Sequence, residues 1–237
     1  MTNSLEGHAD QRFDGDLNTL HLLILEMGGL VMNQCHLALD ALVNQDITHV
    51  NAVEDREPQI NSIEESVDNR VVEIIGRHAP ISKDLRIIMA FSKIVVDLER
   101  IGDEALRIAR IVAVIHDGNQ PKPGKYQMRD VVSMGSLSLG LLEKALAAFD
   151  NLDAKSAESL LNSEQELDAE FQSSVRHLTT FVLEDPRNLG HSINITLILK
   201  ALERVGAHAR NIAEYVVYLV HGVNIRHKRR ATDKKSG

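Results

Sequence analysis

The 237-residue sequence predicts an all-α protein, built as a tandem duplication of an antiparallel three-helix bundle. Apolar residues recur every three or four positions over long stretches, which is typical of amphipathic helices. Aromatic residues make up only 3% of the chain and Trp is absent, which disfavours a β-sandwich core. The second half also repeats the pattern of the first half. Because no stretch alternates apolar and polar residues with period two, we expect no sheet.

The first repeat is predicted over residues 17–118, after a loose segment at 1–16. Its first helix ends near residue 44, and Asp46 is placed to cap the second helix. Pro58 lies inside the second helix and favours a kink there. The third helix begins after Ser82 and carries the clearest heptad stripe in the chain. That stripe consists of Ile87, Phe91, Ile94, Leu98, Ile101, Ala105, Ile108 and Val112.

The second repeat is predicted over residues 126–222, after a linker rich in Pro and Gly at 119–125. A Met-Gly pair in its first helix, ending at Gly135, matches the pair that ends at Gly28. Its last helix matches the third helix at an offset of 104 residues. Short turns between successive helices make neighbours antiparallel, so each repeat is expected to form one bundle. A basic tail follows at 223–237.

Charge and cysteine content narrow the class of protein. The formal net charge of −8 argues against non-specific binding to nucleic acid by the body of the protein. Cys35 is the only cysteine, so an internal disulfide is excluded, which suits a reducing compartment. The first residues lack an apolar signal-peptide core, and no apolar run approaches the roughly 20 residues that span a bilayer. We expect a cytoplasmic protein that reaches a membrane only through partners.

Two pairs of acidic residues are the main candidate site. Glu99 and Asp103 are four residues apart on the third helix, so both carboxylates leave from one face. Glu64 and Asp68 have the same spacing on the second helix. If these helices pack antiparallel, the four carboxylates meet at the rim of the bundle, where mutual repulsion favours protonation or a bound cation. An all-oxygen cluster selects hard cations or iron.

The acid pairs also have a simpler interpretation, as a solvated helix face with intrahelical ion pairs such as Asp103 with Arg107. Catalytic patterns are sparse: the sequence has no Gly-rich phosphate loop before a helix and no Glu-x-x-His motif of the kind used by di-iron enzymes. Three hypotheses therefore stay open: a binding and signalling protein, a carboxylate-bridged metalloenzyme, and a metal-free helical adaptor.

The second repeat carries an incomplete copy of the acid pairs. Glu164 and Asp168 are four residues apart on one helix, and Glu203 lies on the next. Ala207 stands where the fourth acid is expected. The neighbouring His208 points about 100° further round the helix and is a candidate helper ligand. We therefore expect the second site to bind metal more weakly than the first.

The chain resembles the PhoU family over nearly its whole length. The resemblance rests first on the motif at residues 98–103, Leu-Glu-Arg-Ile-Gly-Asp, and on its partner at 202–206, Leu-Glu-Arg-Val-Gly. It also rests on Met-Gly-Gly at 27–29, on Ser-Lys-Asp-Leu-Arg at 82–86, and on the duplication itself. The resemblance implies a non-enzymatic cytoplasmic negative regulator of phosphate uptake that couples a phosphate ABC transporter to a sensor histidine kinase.

The resemblance also implies partners and cofactors. The expected partners are the ATPase subunit of the transporter, the membrane kinase and a second copy of the chain in a homodimer, without nucleic acid. The expected cofactor is a divalent or multinuclear metal, with iron, manganese, magnesium and zinc as candidates. Carried over residue by residue, the first site consists of Glu64, Asp68, Glu99 and Asp103. The second site consists of Glu164, Asp168 and Glu203.

Overall fold

A computed structural model describes residues 3–117 and 125–222 of the chain, with side chains placed from 11 to 117 and from 128 to 222. Within these ranges the protein consists of helices joined by short turns, and no strand is present. The elements are α1 (Asn3–Asn44), α2 (Ile47–His78), α3 (Lys83–Asp117), α4 (Lys125–Asp150), α5 (Ala154–Leu160), α6 (Ser163–Glu184), a 3₁₀ turn (Pro186–Asn188) and α7 (Leu189–His221).

The predicted all-α duplication is confirmed: α1, α2 and α3 form one bundle, and α4, α6 and α7 form the other, with α5 as a short addition. Asp46 caps α2 by accepting a hydrogen bond from the backbone N–H of Thr48 at 2.9 Å. Asp153 caps α5 in the equivalent place by accepting from the N–H of Ser156 at 3.1 Å. Gly222 ends α7 in the left-handed conformation, with φ of 71°, which glycine adopts at little cost.

The structure differs from the sequence prediction in two places. Residues 3–16, predicted to be loose, form the first turns of α1. The ring of Phe13 packs edge-on against His78 of α2 at 5.3 Å, and His78 also contacts the carboxylate of Asp16 at 3.0 Å, which ties this end of α1 to the bundle. The predicted fifth helix is divided into α5 and α6 by a turn at residues 161–162.

The predicted linker at 119–125 lies outside the described residues except for residue 125. The predicted basic tail at 223–237 lies wholly outside them.

The bundles meet mainly through α3 and α7, which lie side by side in opposite directions. Asp97 of α3 contacts His208 of α7, and Glu104 of α3 contacts Arg204 of α7, so residue numbers rise on one helix as they fall on the other. The heptad stripe of α3 is buried in the core, as its pattern predicts. Helix α3 therefore packs against α1 and α2 of its own bundle and against α7 of the other.

Two helical segments, Gln11–Asn44 and Met128–Asp150, are long and apolar enough to meet a length-and-hydropathy test for a membrane span, which the sequence analysis did not expect. The test is weak for such segments, because core helices pass it too. Leu20, Ile24 and Met27 of the first segment are fully buried in the protein core. Their apolar character is explained by packing within the bundle.

Candidate functional site

The first acid pairs lie on adjoining faces of α2 and α3. Gly102 is buried between Glu99 and Asp103 along the chain, and the place of its absent Cβ is 3.6 Å from the side chain of Ile60 on α2. This close approach of α3 to α2 places the carboxylates of α3 beside that of Glu64, which is partly buried. The small residue in the motif therefore has a packing role, while the acids flank the contact.

The negative charges of this cluster are only partly balanced by nearby positive charge. Burial, reinforced by the charges of Asp103, Glu64 and Glu57, raises the pKa of Glu99 to about 7, and Arg100 offsets this only in part. Burial, with the charges of Asp68 and Asp103, also raises the pKa of Glu64. The negative charges around Glu64 and Glu99 thus make ionisation of these two glutamates less favourable.

The four predicted residues are not equally close to the centre of the acidic cluster. Asp103 lies close enough to Glu64 and Glu99 for its negative charge to help raise the pKa of both glutamates. Asp68 is exposed and affects Glu64, so it lies at the edge of the cluster. Within the described ranges, no three His, Cys, Asp or Glu side chains are arranged so that they could hold a metal ion. The carboxylates therefore approach one another without forming a complete coordination sphere.

Glu57 is a member of the cluster that the sequence analysis missed. It is 9% exposed and accepts a hydrogen bond from Nε2 of Gln34 at 2.7 Å, while the same nitrogen lies 3.2 Å from the carbonyl oxygen of Gly102. Gln34 is fully buried and comes from α1, so one amide joins three helices. Glu57 lies seven residues before Glu64 and therefore on the same face of α2. A search for that spacing, as well as for spacing of four, would have found it.

A shallow groove of about 500 Å³ opens beside Glu57 on the outside of α2 and α3. Glu54, Asn61 and Glu65 line it from α2, and Leu106 and Arg110 line it from α3. The groove makes the edge of the acidic cluster accessible to solvent and to small ions.

The second copy is arranged differently, because basic residues contact its acids. Glu164 forms an ion pair with Arg210, whose side chain is only 19% exposed. Glu203 forms an ion pair with Lys200, one turn earlier on α7. Asp168 is exposed on α6. Two of the three acids in the second set are thus neutralised by basic side chains of this protein.

The sequence repeat shows why the two copies differ. At an offset of 104 residues, Lys200 corresponds to Val96 and Arg210 corresponds to Leu106. The first repeat therefore has aliphatic side chains where the second has the two cations. Together with Ala207, these substitutions reduce the negative charge of the second site, and two of the three were not considered in the sequence analysis.

His208, the candidate helper ligand of the second site, contacts α3 of the first bundle. Its Nδ1 lies 2.6 Å from Oδ1 of Asp97, which also accepts a hydrogen bond from Nδ2 of Asn211 at 3.0 Å. Asp97 is 3% exposed, so this is a buried polar contact between the two bundles. His208 therefore has a partner in the interface between repeats.

Comparison with known proteins decides the family. The sequence matches the PhoU domain over residues 24–112 and again over 131–216, which are the two repeats. The chain belongs to the PhoU domain family. A phosphate-specific transport system accessory protein PhoU homolog of Pseudomonas aeruginosa is 39% identical over 95% of this chain and 92% of its own length. The corresponding protein of Escherichia coli K12 is 30% identical over 94% and 91%.

Solved structures of PhoU proteins have the same fold. The crystal structure of PhoU from Pseudomonas aeruginosa superimposes with a TM-score of 0.83 at 38% identity, over 89% of this chain and all of that one. The crystal structure of the phosphate transport system regulatory protein PhoU from Streptococcus pneumoniae gives 0.80 at 26% identity, over 90% and 98%. The family resemblance predicted from the sequence motifs is confirmed.

Proposed function

We propose that this PhoU-domain protein is a non-enzymatic accessory protein of a phosphate transport system and regulates phosphate uptake. The observation that carries the proposal is the similarity to the accessory protein of Pseudomonas aeruginosa, at 39% identity over 95% of the chain. Relatives named as accessory proteins and a structural neighbour named as a regulatory protein point to regulation rather than catalysis.

In its specific form, the proposal is a cytoplasmic negative regulator that acts as a homodimer between the ATPase subunit of the transporter and a membrane sensor histidine kinase. The family resemblance supports this role, and long helices with exposed polar faces supply docking surface. The regulator keeps the phosphate-starvation response off when phosphate is plentiful. Contact with the membrane then comes through its partners.

Deletion of the gene tests the regulatory proposal. We expect phosphate-starvation genes to be switched on in medium rich in phosphate, measured with a reporter for one such gene. Expression of the wild-type chain from a plasmid should restore repression. Unchanged reporter activity in the deletion strain would refute the regulatory role.

We further propose that the first acidic cluster binds a hard cation. Glu64, Glu99 and Asp103 would hold it, with Glu57 and Asp68 at the two edges. Their oxygen donors match the preference of Mg²⁺, Mn²⁺ and iron, and the raised pKa of Glu99 indicates uncompensated charge. Because three ligands do not yet converge, their side chains would rotate to complete the site. A bound cation would neutralise the repulsion between the carboxylates.

The second set of residues does not fit a metal in the same way. Arg210 and Lys200 already contact Glu164 and Glu203, and a cation entering there would have to displace them. We therefore propose that metal binding is confined to the first repeat.

The response of thermal stability to metal tests the site separately from the regulatory role. A ligand that binds only the folded state raises the Tm, and the rise grows with the logarithm of its concentration relative to its Kd. We expect Mn²⁺ or Fe²⁺ to raise the Tm of the wild-type protein and to have less effect on Glu99→Ala. A metal-free helical adaptor predicts equal Tm with and without either metal.

A further inference from the structure

The two ends of the α3–α7 pair are filled differently. At one end, Tyr215 and Tyr218 of α7 face the beginning of α3. The ammonium of Lys93 lies 5.7 Å from the ring centre of Tyr215, and the guanidinium carbon of Arg86 lies 5.9 Å from that of Tyr218. Tyr215 is 7% exposed. Aromatic rings and cations, which attract one another, thus fill the crevice between the helices at this end.

At the other end, the repeat supplies smaller side chains. At the offset of 104 residues, Ile111 and Val114 of α3 correspond to the two tyrosines. Gly190 and Leu197 of α7 correspond to Arg86 and Lys93. A groove of about 260 Å³ opens here between the end of α3 and the beginning of α7. We call it the Val114 groove, defined by Arg107, Arg110, Ile111, Val114 and Asn194, with Asp103 and Leu106 at its far edge.

Exposed aliphatic side chains extend this groove onto α7. Val114 is 61% exposed, and Ile193 and Leu197, beside Asn194 on α7, are 51% and 37% exposed. Leu189, one turn before Ile193, is 53% exposed. Aliphatic residues at steps of four on one helix form a continuous apolar strip. The groove and this strip together give a surface suited to the apolar face of another helix.

Two arginines that line the groove can each form an ion pair with a further carboxylate. Arg107 is 3.7 Å from Glu104, which already pairs with Arg204 at 2.8 Å. Arg110 is 4.0 Å from Glu54, and its side chain is 67% exposed. Close charge-assisted hydrogen bonds are about 2.7–2.9 Å long, so both contacts are loose. Asp103 is the one carboxylate among the residues that line the groove.

We propose that the Val114 groove binds an acidic amphipathic helix of a partner protein. Apolar residues of that helix, spaced three and four apart, lie over Val114, Ile193 and Leu197, and its Asp or Glu residues pair with Arg107 and Arg110. The basic tail of this chain is the wrong occupant, because residues 223–237 contain six Lys or Arg and one Asp. The proposal does not rest on a bound metal or on phosphate regulation, although Asp103 both lines this groove and belongs to the first acidic cluster.

Site-specific crosslinking in cells tests the proposal. A photoreactive phenylalanine replaces Val114 in the full-length chain, and mass spectrometry identifies the crosslinked peptide. We expect an acidic segment with apolar residues at helical spacing. Arg107→Glu with Arg110→Glu should reduce the yield roughly fivefold or more, because charge reversal opposes an acidic partner. Ile111→Tyr should also reduce it, because the ring fills the groove as Tyr215 does at the other end.

Val72 provides the matched control position, since it is an aliphatic residue on α2 that is 71% exposed. A crosslinker there measures random collision, and circular dichroism checks that each variant folds. The proposal is overturned if Val114 gives no more product than Val72, or if the product is a second copy of this chain or a segment without acids. It is also overturned if the arginine reversal leaves the yield unchanged in folded protein.

Discussion

Replacing Glu99 with Gln should stabilise the protein at high pH. Burial and neighbouring acids raise the pKa of Glu99 from its ordinary 4.5 to about 7. The folded state therefore binds its proton more tightly than the unfolded state, so stability is lost as pH rises from about 4.5 to 7. At about 1.4 kcal/mol per pKa unit the upper limit is about 3 kcal/mol, and solvent screening of this partly exposed group reduces it to about 1–2 kcal/mol.

Urea unfolding at pH 8 and pH 4.5, in metal-free buffer, measures this effect. Glu99→Gln should raise the free energy of unfolding by about 1–2 kcal/mol at pH 8 and change it little at pH 4.5, where the wild-type carboxyl is largely protonated when folded. Glu203→Gln is the matched control, because Lys200 compensates that carboxylate, and it should give no stabilisation at pH 8. A Glu99→Gln effect that is absent, or equal at both pH values, would refute the reasoning.

Three further substitutions test the site and the interface between repeats. Gln34→Leu removes the donor to Glu57 and should lower the free energy of unfolding by about 1–3 kcal/mol, measured in urea. Asp97→Ala leaves its donors on α7 without their acceptor and should cost about 2–4 kcal/mol, whereas no loss would show that this contact is unimportant. Lys200→Val with Arg210→Leu restores the side chains of the first repeat, so Mn²⁺ should raise the Tm of this variant more than that of the wild type; an equal rise would contradict the role of the cations.

The sequence was sufficient for the fold because each helix carries its own periodic signal. The stripe on α3 and the cap at Asp46 are local features, and both are present in the structure. The division of α5 from α6 was missed because the apolar pattern continues through the turn at residues 161–162. The helical state of residues 3–16 was also missed, because it is accompanied by contacts of Phe13 and Asp16 with α2, which lies far away in the sequence.

The candidate site was predictable only in part, for a related reason. The spacing of Glu99 and Asp103 places both on one face, but which residues of α2 oppose them depends on how the helices pack. The structure places Glu57 more centrally in the cluster than Asp68, because Glu57 is buried and accepts a hydrogen bond from Gln34. No local sequence pattern reveals this contact. The cations of the second repeat were likewise visible in the sequence, but their pairing with Glu164 and Glu203 required the packing of α6 on α7.

Elemental analysis of purified protein tests the central claim that metal binding belongs to the first repeat. Wild type, Glu99→Ala and Glu203→Ala are prepared in parallel with Mn²⁺ or Fe²⁺ present, and bound metal per chain is measured after removal of free ions. We predict that Glu99→Ala loses most of the metal and that Glu203→Ala retains it. Equal losses in the two variants, or wild-type protein without metal, would contradict the account.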